Sequence, residues 1–195
     1  RRSQAKPKAD LSKSAGVHRY VWNMRHEGAW DKSASRNLKN GPLVAPGEYT
    51  FELKVEENVY TQSGKILADP RVTEAGVKRQ DIEAQVKLSL KIISLQSSSK
   101  RLAAIIDDRM KPIEAKLKKK ASEKNQAKYD ELEKIYHQLV TPEGIYMRSR
   151  LIGQINYLLM MINRADQLPG NDAYERYDEL KLSLQNLAAE YNMLK

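Results

Sequence analysis

The fold turns on residues 49–93, YTFELKVEENVYTQSGKILADPRVTEAGVKRQDIEAQVKLSLKII, because the hydrophobic period changes inside this stretch. Up to about residue 70 apolar side chains alternate. Tyr49, Phe51, Leu53 and Val55 point one way and Thr50, Glu52 and Lys54 the other, the pattern of a half-buried strand. Pro46-Gly47 reads as a turn before it and Glu57-Asn58 as a hairpin turn after it, leading to a strand near Val59–Gln62. A short further strand is expected at Lys65–Ala68. Upstream, Val17–Trp22 alternates too, with His18, Tyr20 and Trp22 on one face.

Beyond Asp69-Pro70 the period becomes helical. Ile82, Val86, Leu90 and Ile93 open a first helix, and Leu102, Ile106, Met110, Ile113 and Leu117 continue it. Unbroken from about residue 78 to 119 it would extend roughly 60 Å at 1.5 Å per residue. Ser97-Ser98-Ser99 and Pro112 are the places where a break or bend is expected. Ser122 is placed to cap a second helix carrying Tyr129, Leu132, Tyr136 and Leu139. Thr141-Pro142 looks like the cap and first residue of a third, through Met147, Leu151, Ile155, Leu158 and Ile162. That helix is apolar on several sides near its end and should be central, with Pro169-Gly170 closing it. Asp172 and Glu175 resemble a capping box for the fourth helix. Its Ala173, Tyr177, Leu180, Leu184, Leu187, Tyr191 and Leu194 recur in alternating steps of four and three, an a/d seam.

The expected class is therefore α+β: a partial Ig-like or fibronectin-like β-sandwich followed by an antiparallel helical bundle. Residues 1–14 read as a linker or loop, 15–70 as the sandwich portion and 71–195 as the bundle. Four or so strands in about 55 residues make too little sheet to close a sandwich, and open edges invite pairing. The expectation is that upstream strands of a longer protein complete it, and that residues 1–70 alone unfold without a sharp thermal transition.

Composition narrows the function classes. The chain has 195 residues, 41% hydrophobic and 30% charged, with a mean hydropathy of -0.68, as in a folded, water-facing protein. Its longest apolar run, residues 157–162, is far shorter than the roughly 18 residues of a membrane span. With no cysteine there is no disulfide, thiolate nucleophile or cysteine metal site. The net charge of +9 divides unevenly: 12 basic and 8 acidic groups in residues 1–70, 13 and 6 in 71–121, 9 and 11 in 122–195. A basic long helix facing more acidic ones suits a bundle paired partly by its own charges. Lys116-Leu117-Lys118-Lys119-Lys120 fits a helix C-terminus, where cations favour the dipole, better than a phosphate-binding patch. No aromatic residues interleave it as a single-strand-binding surface requires.

No phosphate-loop, dinucleotide, zincin or nucleophile-elbow pattern occurs. Nothing in the sequence designates a catalytic residue, a cofactor or a metal ligand. Of three histidines, His18 fits a strand face and His137 a helix. His26 followed by Glu27 forms an acid/base pair only if a loop turns both side chains the same way. Asp107-Asp108 and Glu56-Glu57 are carboxylate pairs, but nothing in the pattern singles out a pair placed across a cleft as glycosidase chemistry needs. Tyr129, Tyr136, Tyr177 and Tyr191 have helical core spacing. The loop from His26 to Trp30 is the candidate contact surface. Trp30 either meets a ligand there or covers the open end of the sandwich.

The motif order carries a resemblance. GVHRYVWNMRHEGAW, GPLVAPGEYTFELKV and YTQSGKILADPRV together resemble the C-terminal region of large bacterial sortilin-like proteins with BNR-repeat β-propellers, many labelled putative glycosyl hydrolases. Gly16, Arg19, Trp22, Gly41-Pro42, Pro46-Gly47, Tyr49, Leu53 and Asp69-Pro70-Arg71 match the Ig-like module that follows the propeller in that family. His18 and Asn23 depart from it, standing where Asn and Asp are usual. RLIGQINYLLMMINRADQLPGNDAYERYDEL, residues 150–180, looks like the close of the family's helical tail.

The resemblance implies a non-catalytic, extracytoplasmic accessory and protein-interaction region. Its partner would be the β-propeller part of the same polypeptide or another protein subunit. Any hydrolase chemistry would belong to the propeller. The enzyme-class alternative is a glycoside hydrolase tail whose Trp30 loop touches carbohydrate in the cleft. A basic helical nucleic-acid-binding module is the third reading and the least favoured.

Overall fold

The computed structural model describes residues 11, 12 and 14–194; most of the expected linker 1–14 lies outside the described residues. The chain is mixed α+β and mostly helical. Its elements are β1 (Gly47–Val55), β2 (Asn58–Ile66), α1 (Pro70–Glu74), α2 (Arg79–Lys119), α3 (Glu123–Leu139), α4 (Leu151–Ile162) and α5 (Asn171–Met193).

The alternation that begins at Tyr49 does form a strand. β1 pairs antiparallel with β2 from Gly47↔Ile66 to Val55↔Asn58, and Glu56 takes the positive φ of 53° that closes the turn. The expected strands at 59–62 and 65–68 are one strand, β2, which ends at Ile66. Among the described residues the sheet has only these two strands. Val17–Trp22 forms no strand among the described residues, and the next bridge upstream is the isolated Arg25↔Leu43. The described residues thus form a hairpin where a sandwich portion was expected. The physical reason is local: Trp22 packs on the hairpin instead of in its expected strand, tilted against Tyr49 and edge-on to Phe51 with ring centroids 5.5 and 5.8 Å away, and Tyr20 stays exposed.

α2 runs unbroken for 41 residues through both expected break points. Across the serine run the hydroxyls donate one turn back within the helix, Ser97 to Ile93 O (2.7 Å), Ser98 to Ser94 O (3.0 Å) and Ser99 to Leu95 O (2.9 Å), so continuity here rests on packing. Small serines also suit a crowded face: Ser89 and Ser99 are fully buried. Pro112 sits inside the helix on an exposed position.

α2 is the spine of the bundle. Gln85 and Gln96 on α2 meet the end and middle of α4 through Ile162 O (2.6 Å) and Asn156 Oδ1 (3.4 Å), so α4 runs antiparallel beside the N-terminal half of α2. Tyr129 on α3 feels the charges of Glu114 and Lys118, which places α3 antiparallel beside the C-terminal half. Residues 140–150 join the two without reversing them, so α3 and α4 lie in tandem. α5 then returns parallel to α2, its Leu194 carbonyl accepting from Arg109 Nη2 at 2.6 Å and its Arg176 reaching Gln154 at 2.6 Å. The expected up-and-down order therefore holds for α2–α3 and α4–α5, not for α3–α4.

Three expected helix ends move. Met147 and the Thr141-Pro142 signal fall in the loop, since Thr141 Oγ1 accepts from Arg150 N (2.9 Å) and Gly144 and Tyr146 take positive φ. α4 ends at Ile162, ahead of Pro169-Gly170, because Gln85 of α2 donates to the freed carbonyls of Ile162 and Ala165 (2.6 and 2.7 Å). Gly170 is the N-cap of α5 with no side-chain cap, so Asp172 and Glu175 form no capping box. Ser122 does cap α3, its hydroxyl accepting from Asn125 N at 3.4 Å. All seven seam residues of α5 lie in or against the core, with Leu88, Ile92, Ile106, Ile135 and Ile155 at its centre. α4 packs against α2 and α5 and touches α3, with Tyr157, Met160 and Met161 left exposed.

Candidate functional site

The expected contact loop is a compact two-armed turn seated on α2. His26 N donates to Pro42 O (2.9 Å), Gly28 N to Leu38 O (2.8 Å), Leu38 N to Ala29 O (3.1 Å) and Val44 N to Met24 O (2.9 Å). The arms approach so closely at Gly28 and Gly41 that a Cβ on either would overlap the opposite backbone, Lys39 O in one case and His26 O in the other. Both glycines are buried, as are Ala29, Pro42 and Val44. Here glycine is required by packing.

Asp31 is the hub of the clasp. Its Oδ1 accepts from Ser33 N (2.9 Å) and Arg36 Nη2 (3.1 Å), and its Oδ2 accepts from Lys100 Nζ on α2 (2.9 Å). The side chain is only 10% exposed. Burial opposes its ionisation, but bonds from Arg36, Lys100 and the Ser33 amide outweigh it and hold the carboxyl well below the usual carboxylate range. Lys32 adds exposed pairs to Asp108 (2.6 Å) and Asp107 (3.4 Å).

Trp30 belongs to the same clasp. Its amide donates to Ser97 Oγ (3.0 Å), and the Arg101 guanidinium lies 5.4 Å from the ring centroid. The half-buried indole is therefore spread on α2. His26 lies elsewhere, at the edge of an open groove of about 460 Å³ between the loop, the base of β1 and α2. Ala45, Tyr49, Val86 and Leu90 form its apolar floor, with Lys87 and Lys91 along one rim. Burial lowers the His26 pKa and raises that of Tyr49, whose hydroxyl donates to Ala45 O at 2.6 Å. The structure brings His26 and Trp30 into one loop but gives them different neighbours.

The groove explains the apparent period of the first helix. Val86 and Leu90 line it, whereas the bundle side of α2 is Ile82, Gln85, Leu88, Ser89, Ile92, Leu95 and Ser99. α2 is apolar on two faces and serves two layers.

The remaining titratable candidates are dispersed. Exposed His18 Nε2 lies 2.7 Å from Ser14 O, and His137 is 3.8 Å from Glu133 one turn earlier on α3. No hydrogen bond joins His26 to Glu27. Asp107 and Asp108 pair with Lys32 and Lys111 on the surface. Among the described residues no group of three potential metal ligands occurs, and no helix is long and apolar enough to cross a membrane. Lys118 in the basic run at the end of α2 pairs with Glu114 at 2.6 Å.

Sequence reasoning missed Asp31, Ser97, Lys100 and Arg101. The one local signal was Asp31-Lys32-Ser33, an Asp two residues before an amide it can accept from. The α2 partners had none, because Ser97 lies 67 positions from Trp30 and Lys100 69 from Asp31. No family model, curated protein or solved structure matches the chain.

Proposed function

We propose that the chain is a non-catalytic interaction module, the C-terminal accessory region of a larger extracytoplasmic β-propeller protein. In this reading strands of the propeller-bearing polypeptide or of another subunit complete an Ig-like sandwich on the β1–β2 hairpin. One observation carries it. Among the described residues Trp22 is the one ring packed on the apolar face of the hairpin, and Phe51, Leu53, Val55 and Tyr60 remain 47%, 45%, 49% and 59% exposed. Among the described residues no further strand pairs with either outer edge of the hairpin. A strand is the partner whose chemistry satisfies such an edge, through main-chain bonds in register and alternate side chains on the apolar face. The bundle and the loop clasped to it form the rigid base from which the hairpin projects. The motif resemblance supplies the propeller as the source of those strands.

Hydrogen exchange tests this. Amides of 49–55 and 59–66 should exchange at least about 100-fold more slowly in a polypeptide that includes the propeller than in the 195-residue chain. Equal exchange in the two would refute the reading.

A further inference from the structure

The turn between α2 and α3 concentrates positive charge, and the packing of the bundle leaves it standing clear. α5 ends level with Arg109 of α2, whose Nη2 donates to Leu194 O at 2.6 Å, and Glu190 near its end reaches Lys134 of α3 at 3.8 Å. α2 runs on from Arg109 to Lys119 and α3 starts only at Glu123, so the tip of this helix pair projects about 15 Å past α5.

Residues 110–129 hold seven lysines, two glutamates and no arginine or aspartate. Internal pairing accounts for two of the seven, Lys111 with Asp107 and Lys118 with Glu114, each at 2.6 Å. Lys116, Lys119, Lys120, Lys124 and Lys128 are exposed and in no ion pair among the described residues. The helix dipole favours Lys116 and Lys119 at the C-terminus of α2, but it opposes Lys124 in the first turn of α3. Five like charges at one tip repel one another, and an external polyanion relieves that repulsion.

The make-up of the tip selects the polyanion. Arginine, which grips phosphates and base edges bidentately, is missing, and Tyr129 is half-buried against the core and does not offer a stacking face. No large apolar side chain of residues 110–129 is exposed, so nothing here inserts into a hydrocarbon layer. Lysines act as point charges and suit a diffuse layer of headgroups, which can gather around them. We propose that the α2–α3 tip adsorbs by charge alone to a bilayer surface bearing anionic phospholipids. The base of β1 lies beside Arg79 at the opposite end of α2, so this contact leaves the β1–β2 hairpin free for its own partner.

Cosedimentation of the 195-residue chain with vesicles tests it, one set of phosphatidylcholine alone and one with about 30% phosphatidylglycerol. Binding to the anionic set at about 0.05 M salt and its loss at about 0.5 M are expected, with none to phosphatidylcholine. Lys119→Gln with Lys120→Gln should weaken binding about twenty-fold, because each lysine near such a surface contributes about five-fold. Lys87→Gln with Lys91→Gln, which removes two exposed lysines far from the tip, should change it less than about two-fold. All four positions are exposed, and unchanged helical circular dichroism confirms that the variants fold. No binding to the anionic vesicles at low salt overturns the proposal. So does an equal loss from the two double variants, which would mean that net charge alone attracts the chain. Displacement from the vesicles by duplex DNA at equal phosphate concentration overturns it too, and would make nucleic acid the partner.

Discussion

The bundle and the hairpin start from equally regular patterns and end in opposite environments. Ile92 and Ile106 of α2 repeat at helical spacing and are fully buried, whereas Phe51 and Leu53 of β1 alternate cleanly and remain about half exposed. An amphipathic pattern says which face avoids water, not what will cover it. For α2 the cover is close at hand, since α3, α4 and α5 follow in the same chain. For β1 the aromatic cover among the described residues is Trp22, whose ring reaches Tyr49 and Phe51.

The contrast can be broken or sharpened by substitution. Ile106→Ala, which empties space at the centre of the bundle, should cost about 3 kcal/mol in urea unfolding. Asp31→Asn should cost about 2 kcal/mol at pH 7, because Lys100 and Arg36 lose their charged acceptor at a nearly buried site. This difference carries a pH signature. The Asp31 pKa is lowered on folding, so its contribution is complete above the unfolded value of about 3.9 and fades as pH falls towards the folded one. The gap between wild type and Asp31→Asn should be constant from pH 7 to about 5 and shrink below about 4. Arg101→Ala, which uncovers the Trp30 ring, should cost about 0.5–1 kcal/mol and shift the tryptophan emission maximum to the red. Leu53→Thr should change stability by less than about 0.5 kcal/mol, as at any surface position. A loss as large as that of Ile106→Ala would mean the hairpin face is covered in solution.

Local rules located much of the fold. The a/d seam of α5 survives residue for residue, Ser122 caps α3, and the β1–β2 turn falls at Glu56–Glu57 beside the expected Glu57-Asn58. The failures share a cause. Ser97–Ser99 looked like a break because propensity ignores a crowded face that needs small side chains. Thr141-Pro142 looked like a helix start, yet its threonine serves Arg150 N nine residues later. Pro169 looked like the end of α4, but Gln85, 77 positions away, captures the carbonyl of Ile162 first. The candidate loop was visible as an aromatic, histidine-bearing segment between turns. Its clasp on α2 was not, because Asp31, Lys100 and Arg101 follow no period.

By itself the sequence determined where the period changes from two to 3.6, which residues are apolar on each element, and that cysteine chemistry is absent. Those properties are set by neighbours within a few positions. The tertiary structure alone decided that α2 serves two layers, that α3 and α4 lie in tandem, that Trp30 rests under Arg101 while His26 edges a groove, and that the described residues leave most of the hairpin face exposed. Each of these depends on contacts between residues tens of positions apart, where side-chain shape and charge select among partners that local patterning leaves equivalent.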